Sequence, residues 1–312
     1  MSFHIAIDIG GTQLRAACYS SDKLSPTTLR RIFTKDPQST PLERLINLIQ
    51  SVWPENQTVS AIGLAAPGPV DIKRGVILKA PNIPGWENLP LCQLLEERFN
   101  TPAVIGNDAN MAALGEWKYG AGRGHHDMLY MTISTGIGGG IIVDDRLLLG
   151  ASGLAAEIGH VTIIPDGPLC GCGQRGHLEA IAAGPAIARW VEDRLSSGTA
   201  SSLLNDQPVT AKAVSQAAKQ GDELARQALE TAGNFIGLAM TNFVHIFNPT
   251  AIVIGGGVSL SGGLILEPIS KSLKKYVMNP QYLDNLVIYS AAFGDEAGLL
   301  GALTLARNFR PE

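Results

Sequence analysis

The apolar run FHIAID, residues 3–8, ends in GGT, and an alternating segment, QLRAACYS, follows at once. This pattern predicts a buried strand, a tight glycine turn and a strand running back. MLYMTIS, TGIGGG and IIVDD repeat the layout further on, so the chain reads as internally duplicated. VSAIGLAA and PAVIG predict further buried strands, while LERLINLIQSVW, LPLCQLLEERF and ANMAALGEWKYG carry apolar residues at helical spacing.

Beyond the second hairpin, HLEAIAAGPAIARWVEDRL, TAKAVSQAAKQG and DELARQALETAGNFIGLAMTNFVHIF are helical by period. The last is predicted to end at Asn248, because Pro249 disfavours helical geometry before it and donates no backbone bond. TAIVIGGG then reads as strand and turn, LILEPISKSL as helix, NLVIYSA as strand and DEAGLLGALTLARNF as a closing helix. Strands and helices in alternation predict a layered α/β protein. With no linker or low-complexity tract, the boundary between lobes is expected at a hinge near Tyr119 to Gly124.

Composition narrows the class. The 312 residues suffice for two lobes, and 45% hydrophobic with 17% charged residues and 35 glycines describes a globular, turn-rich chain. The net charge of −4, with lysines and arginines scattered singly, leaves no basic stripe for a phosphate backbone, so no nucleic-acid partner is expected. The start, MSFHIAIDIGGT, lacks the charge and cleavage pattern of a leader, and no apolar stretch is long enough to span a bilayer. A cytoplasmic protein with no membrane partner is expected.

Three turns share one form: DIGGT, STGIGGG and IGGGVS. A glycine-ended strand brings backbone N–H groups close to a ligand, and clustered donors suit phosphate oxygens. Each turn alone is weak evidence, because a hairpin or strand–helix turn uses the same glycines, but together, with Thr12, Ser134 and Thr135, they suggest a nucleotide cleft. The lysine-bearing P-loop pattern is absent. GCGQRG matches a dinucleotide-binding hexamer, yet it follows the loop DGPLC and not a strand, which sets that reading aside.

Asp8 either orients Mg²⁺ near phosphates or closes an Asx turn. Asp108, at a strand-to-helix junction after Asn107, is a favoured N-cap; facing a cleft, it would also accept the proton of a substrate hydroxyl attacking phosphorus. Cys170 and Cys172 are either free thiols or metal ligands, and His160 with His177 would complete a Cys₂His₂ set, provided His177 folds back. Cys18 and Cys92 read as small buried hydrophobes.

DIGGT, APGPVD, NIPGW, GNDANMAALGEW, STGIGGGII, GLAAEIGH, CGCGQRGHLEAIAAG and NPTAIVIGGG, in that order, resemble the motifs of the ROK family nearly end to end. The resemblance implies an actin-like ATPase fold of two RNase-H-like lobes with a cleft between them: a smaller lobe at 1–118, a larger one at 119–294, and a closing helix at about 295–312 that packs on the first. It implies ATP-dependent phosphorylation of a hexose, glucose above N-acetylmannosamine, fructose, mannose or allose, by a homodimer. Asp108 then corresponds to the catalytic base; Gly68, Asn82, Asn107, Glu157, His160 and Glu179 to the sugar site; and Asp8, Gly10, Gly11, Thr12, Thr135, Gly136 and Gly256 to the side that holds ATP with Mg²⁺. His160, Cys170, Cys172 and His177 correspond to a structural Zn²⁺ site in which His177 replaces the family's usual cysteine. Sugar-responsive repressors of the same family carry a DNA-binding segment before the DxGGT strand. Here that strand begins within a few residues of Met1, and a kinase is expected instead.

Overall fold

The computed structural model describes residues 2–205 and 208–310. The expected spans 1–118 and 295–312 include residues 1, 311 and 312, which lie outside the described residues.

The first half builds β1 (Ser2–Ile9), β2 (Gln13–Ser20), β3 (Thr28–Phe33), α1 (Pro41–Val52), β4 (Thr58–Ala66), β5 (Val70–Asp71), β6 (Val76–Lys79), β7 (Glu87–Leu89), α2 (Leu91–Phe99), β8 (Ala103–Asn107) and α3 (Asp108–Tyr119). The main sheet has the order β3-β2-β1-β4-β8, with β1 antiparallel to β2 and parallel to β4. The FHIAID run is the middle strand, and Ile5, Ala6 and Ile7 have no solvent exposure. The hairpin register sets Asp8 opposite Arg15. The short strands β5, β6 and β7 form a separate sheet that the period of the sequence did not disclose, because two- to four-residue strands carry too little alternation.

The second half builds β9 (Met128–Ile133), β10 (Ile137–Val143), β11 (Arg146–Leu147), α4 (Leu178–Ala182), α5 (Gly184–Ser196), α6 (Ala211–Lys219), α7 (Glu223–Phe247), β12 (Ala251–Gly255), α8 (Gly263–Tyr276), β13 (Val287–Ser290) and α9 (Ala297–Asn308). Its sheet order, β11-β10-β9-β12-β13, repeats the first sheet position for position, with two antiparallel pairs followed by two parallel ones. The α7 helix ends at Asn248 in the left-handed conformation, just before Pro249. The stretch HLEAIAAGPAIARWVEDRL, expected as one helix, is broken at extended Ala183, where Gly184 N–H donates to the Ser134 carbonyl at 2.8 Å. The break starts α5 anew beside the second glycine turn.

The closing helices of the two halves cross over. From the end of β8, α3 packs on β9 and β10 of the second sheet; from the end of β13, α9 packs on β1 and β4 of the first. The two helices lie against each other with their backbones in contact. A Cβ on Gly115 would fall on the Ala297 carbonyl oxygen, and one on Gly301 on that of Met111, so both positions require glycine for close approach. One apolar cluster, including Ala6, Ala65, Met111 and Leu303, joins the first sheet to this helix pair, and another, including Ala113, Met128 and Val253, joins α3 to the second sheet. Each fully buried Leu or Ile contributes about 1.5–3 kcal/mol.

Candidate active site

Between the sheets lies a cavity of ≈ 630 Å³ whose walls include Asp8, Gly68, Asn107, Asp108, Glu157, His160 and Glu179, together with Thr135 and Gly136. Capping is divided differently from the expectation. Asn107 is the N-cap of α3: its Oδ1 accepts from the backbone N–H groups of Ala109 and Asn110 at 3.0 and 3.2 Å, and its Nδ2 donates to the Gly68 carbonyl. Asp108 is the first helical residue and keeps one bond, from Ala109 N–H at 2.7 Å, so the rest of its carboxylate is open to the cavity. Its tip meets solvent, but protein surrounds it deep in the cleft. That burial, with Glu157 adding to it and the Ala109 N–H opposing, raises its pKa to about 6.

Glu157 caps the single turn Ile158–His160, and the residue before it, Ala156, is held at φ 69°, a left-handed conformation costly for alanine. Glu179, on α4, accepts the Ile137 N–H at 3.0 Å and the Cys170 thiol at 3.6 Å, and so ties the second glycine turn to the cysteine loop.

Asp8 faces this wall from the end of β1. Burial raises its pKa to about 6, the Arg15 guanidinium opposes the rise, and the charges of Asp108 and Asp295 add to it. Arg15 lies 3.6 Å from Asp8 and also donates to the Asp295 carbonyl at 2.5 Å. Sequence reasoning missed Arg15 and Asp295, which are neighbours only because α9 returns to the first sheet.

Gly10, Gly11 and Thr12 form the β1–β2 turn outside the cavity wall, fastened by Gly10 N–H to the Gln13 carbonyl and by the Thr34 hydroxyl to the Gly10 carbonyl. Asn82 is exposed, with its Cβ 2.6 Å from where a methyl on Gly11 would stand; its neighbour Pro81 lines the cavity. Gly256 follows β12 at φ 85°, over the backbone of Ile133. Beyond it, Gly257 and Val258 line a second cavity of ≈ 730 Å³ with Pro185, Thr210, Lys212 and Gln216. Ser134 and Thr135 line both cavities. The helical residues of the second chamber were also missed, because helical period marks a buried face without saying what it adjoins.

His160, Cys170, Cys172 and His177 converge, with their ligand atoms within 4.8 Å of one another. Cys172 Sγ is 3.3 Å from His177 Nδ1, and Cys170 Sγ is 3.7 Å from His160 Nδ1. His177 does fold back: it bridges to Thr162, and the loop closes through a Leu169–Arg175 bridge. Gly176 at φ 73° permits this, since a Cβ there would fall on the Ile164 carbonyl oxygen. GCGQRG lies in this loop and opens no βαβ unit.

Residues 4–309 match the model of the ROK family. The chain belongs to the ROK family. Its relatives include a glucokinase of Streptomyces coelicolor, 35% identical over 321 residues, with 100% of this chain and 99% of that one covered. A glucokinase of Thermotoga maritima is 32% identical over 308 residues, covering 97% and 96%. Among solved structures, a ROK family glucokinase from Streptomyces griseus in complex with glucose and AMPPNP superposes with a TM-score of 0.81 at 35% identity, covering 98% of this chain and 100% of that one. The actin-like ATPase architecture of ROK glucokinases is thus the fold of this chain.

Proposed function

We propose that this ROK protein is an ATP-dependent glucokinase that transfers the γ-phosphoryl group to the 6-hydroxyl of glucose. The observation that carries the reading is Asp108: a carboxylate released from capping by Asn107, open to a cleft that Asn107, Glu157, His160, Glu179 and Asp8 also line.

Asn107, Glu157, His160 and Glu179 grip the sugar hydroxyls, with Gly68 and Asn82 lining the other side. The triphosphate lies along the glycine turns at Gly10, Gly11, Thr12, Thr135, Gly136 and Gly256, and the second cavity takes the nucleoside. Asp108 accepts the hydroxyl proton as that oxygen bonds to phosphorus, the bond from phosphorus to the bridging oxygen breaks, and ADP leaves with the electron pair. The transition state is loose, so alignment and charge stabilisation supply most of the acceleration. Asp8 would orient Mg²⁺, which neutralises phosphate charge when bound.

Two thiols and two imidazoles form a zinc donor set, and tetrahedral zinc brings its ligands to roughly 3.5 Å from one another. The cluster fits that arrangement with slight contraction. Zinc here would be structural, its role to fix the ring of His160 against the sugar. The same reading carries the lobe bounds 1–118 and 119–294, a homodimer and a cytoplasmic location; among the described residues no helix is long and apolar enough to cross a membrane.

A coupled ADP-release assay across glucose, N-acetylmannosamine, fructose, mannose and allose, with ATP and polyphosphate as donors, tests the proposal. The highest kcat/KM is expected with glucose and ATP. No ADP release with any hexose would remove the kinase reading, and a tenfold preference for another sugar would replace glucose.

A further inference from the structure

The motif GEWKYG contains a carboxylate that the reaction does not use. Glu116, near the end of α3, has no solvent exposure, and no ion pair to it is present among the described residues. A buried carboxylate without a cation persists only where hydrogen bonds replace its water. Three backbone N–H groups do so here. Oε2 accepts from Ala121 at 3.0 Å and Ala292 at 3.1 Å, and Oε1 accepts from Phe293 at 2.8 Å.

These donors belong to the two chain segments that pass between the lobes. Ala121 lies on the link from α3 to β9, while Ala292 and Phe293 lie on the link from β13 to α9. Both links are therefore fastened to one side chain. From Phe293 the chain enters the turn Gly294–Glu296, where Asp295 accepts from Arg15, and Arg15 pairs with Asp8. In the other direction α3 runs back about 12 Å along its axis to Asp108.

We propose that Glu116 is a positioning residue for phosphoryl transfer: it fixes the spacing between the helix that carries Asp108 and the segment that holds Arg15 against Asp8. The proposal rests on the reading of Asp108 as base and Asp8 as the nucleotide-side acid. Of the groups that grip the sugar, Glu157, His160 and Glu179 stand on other elements and do not depend on this anchor, while Asn107, at the far end of α3, is held by its own bond to the Gly68 carbonyl. Loosening it should leave sugar affinity intact while misaligning the two substrates, and small displacements remote from the chemistry cost up to about 100-fold in rate.

Glu116→Gln tests this directly. The amide keeps the shape but places a donor against at least one backbone N–H, and the orientation that frees only Phe293 is the least costly. A second variant reaches the same carboxylate from outside: a Cβ on Gly120 would fall on Oε2 of Glu116 and 2.9 Å from the Phe293 ring, so Gly120→Ala pushes the anchor aside. For both, kcat is expected to fall about 10- to 100-fold with the glucose dissociation constant within about threefold of the parent.

Should Glu116→Gln fail to fold, Gly120→Ala decides. Folded variants with a lowered melting temperature and parental kcat would overturn the proposal, as would kcat and sugar affinity falling together. Asp108→Asn, assayed in parallel, separates the two readings. If it keeps turnover, the base assignment fails and the positioning role stated here falls with it; if it loses turnover while the anchor variants keep theirs, the anchor alone fails.

Discussion

Asp108 owes its availability to the residue before it. Asn107 takes the cap, two N–H groups of the first turn are satisfied by its amide oxygen, and the acid is left facing the cleft. Aspartate is a favoured cap, so the motif GNDAN did not reveal which of the two residues serves; only backbone geometry decides. Because the pKa of Asp108 is raised to about 6, the base is ionised at neutral pH and lost in mild acid. A profile of kcat/KM for glucose should be flat above pH 7 and fall about tenfold per unit below pH 6. A limb at pH 4 would mean that the acid carries an ordinary pKa. Stability runs the opposite way: a carboxyl whose folded pKa exceeds its unfolded value contributes most at low pH, and that contribution is lost as pH rises to 6. Activity and stability therefore oppose each other at this residue.

Among elements, the glycine turns were legible because a buried strand ending in glycines is a local signal, and the helix stop at Asn248-Pro249 is another. Contacts made by crossing were not. No periodicity encodes contacts between segments almost a chain length apart: the packing of α9 on the first sheet was expected only through the family resemblance and is found, while the pairing of Arg15 with Asp295 was not expected at all. The break at Ala183 was hidden for a related reason: apolar spacing continues through it while a bond to Ser134 redirects the chain. The cysteine loop was legible in ligand type and not in closure, which depends on Gly176 and the Thr162–His177 bridge. If zinc orients His160 there, the purified protein should carry about one zinc per chain, and its removal should raise the KM for glucose about tenfold or more with a smaller change in kcat. Equal sugar affinity with and without the metal would refute that role.

At the scale of the whole molecule, duplication produces the site. Two sheets of the same order bring Asp8 of one middle strand and the Thr135–Gly136 turn that follows the other to one cavity, and the exchanged helices α3 and α9 line it through Asp108, Ala112 and Gly298. Neither sheet alone would bring Asp8 of the first and Glu157 of the second to the same cavity. The most direct test of this account is turnover by Asp108→Asn, measured beside glucose binding by calorimetry. The account predicts a kcat lower by at least ~1,000-fold, with glucose affinity within a few-fold and a melting temperature at pH 7.5 no lower than the parent's. Turnover within tenfold of the parent, in a variant that still binds glucose, would contradict it.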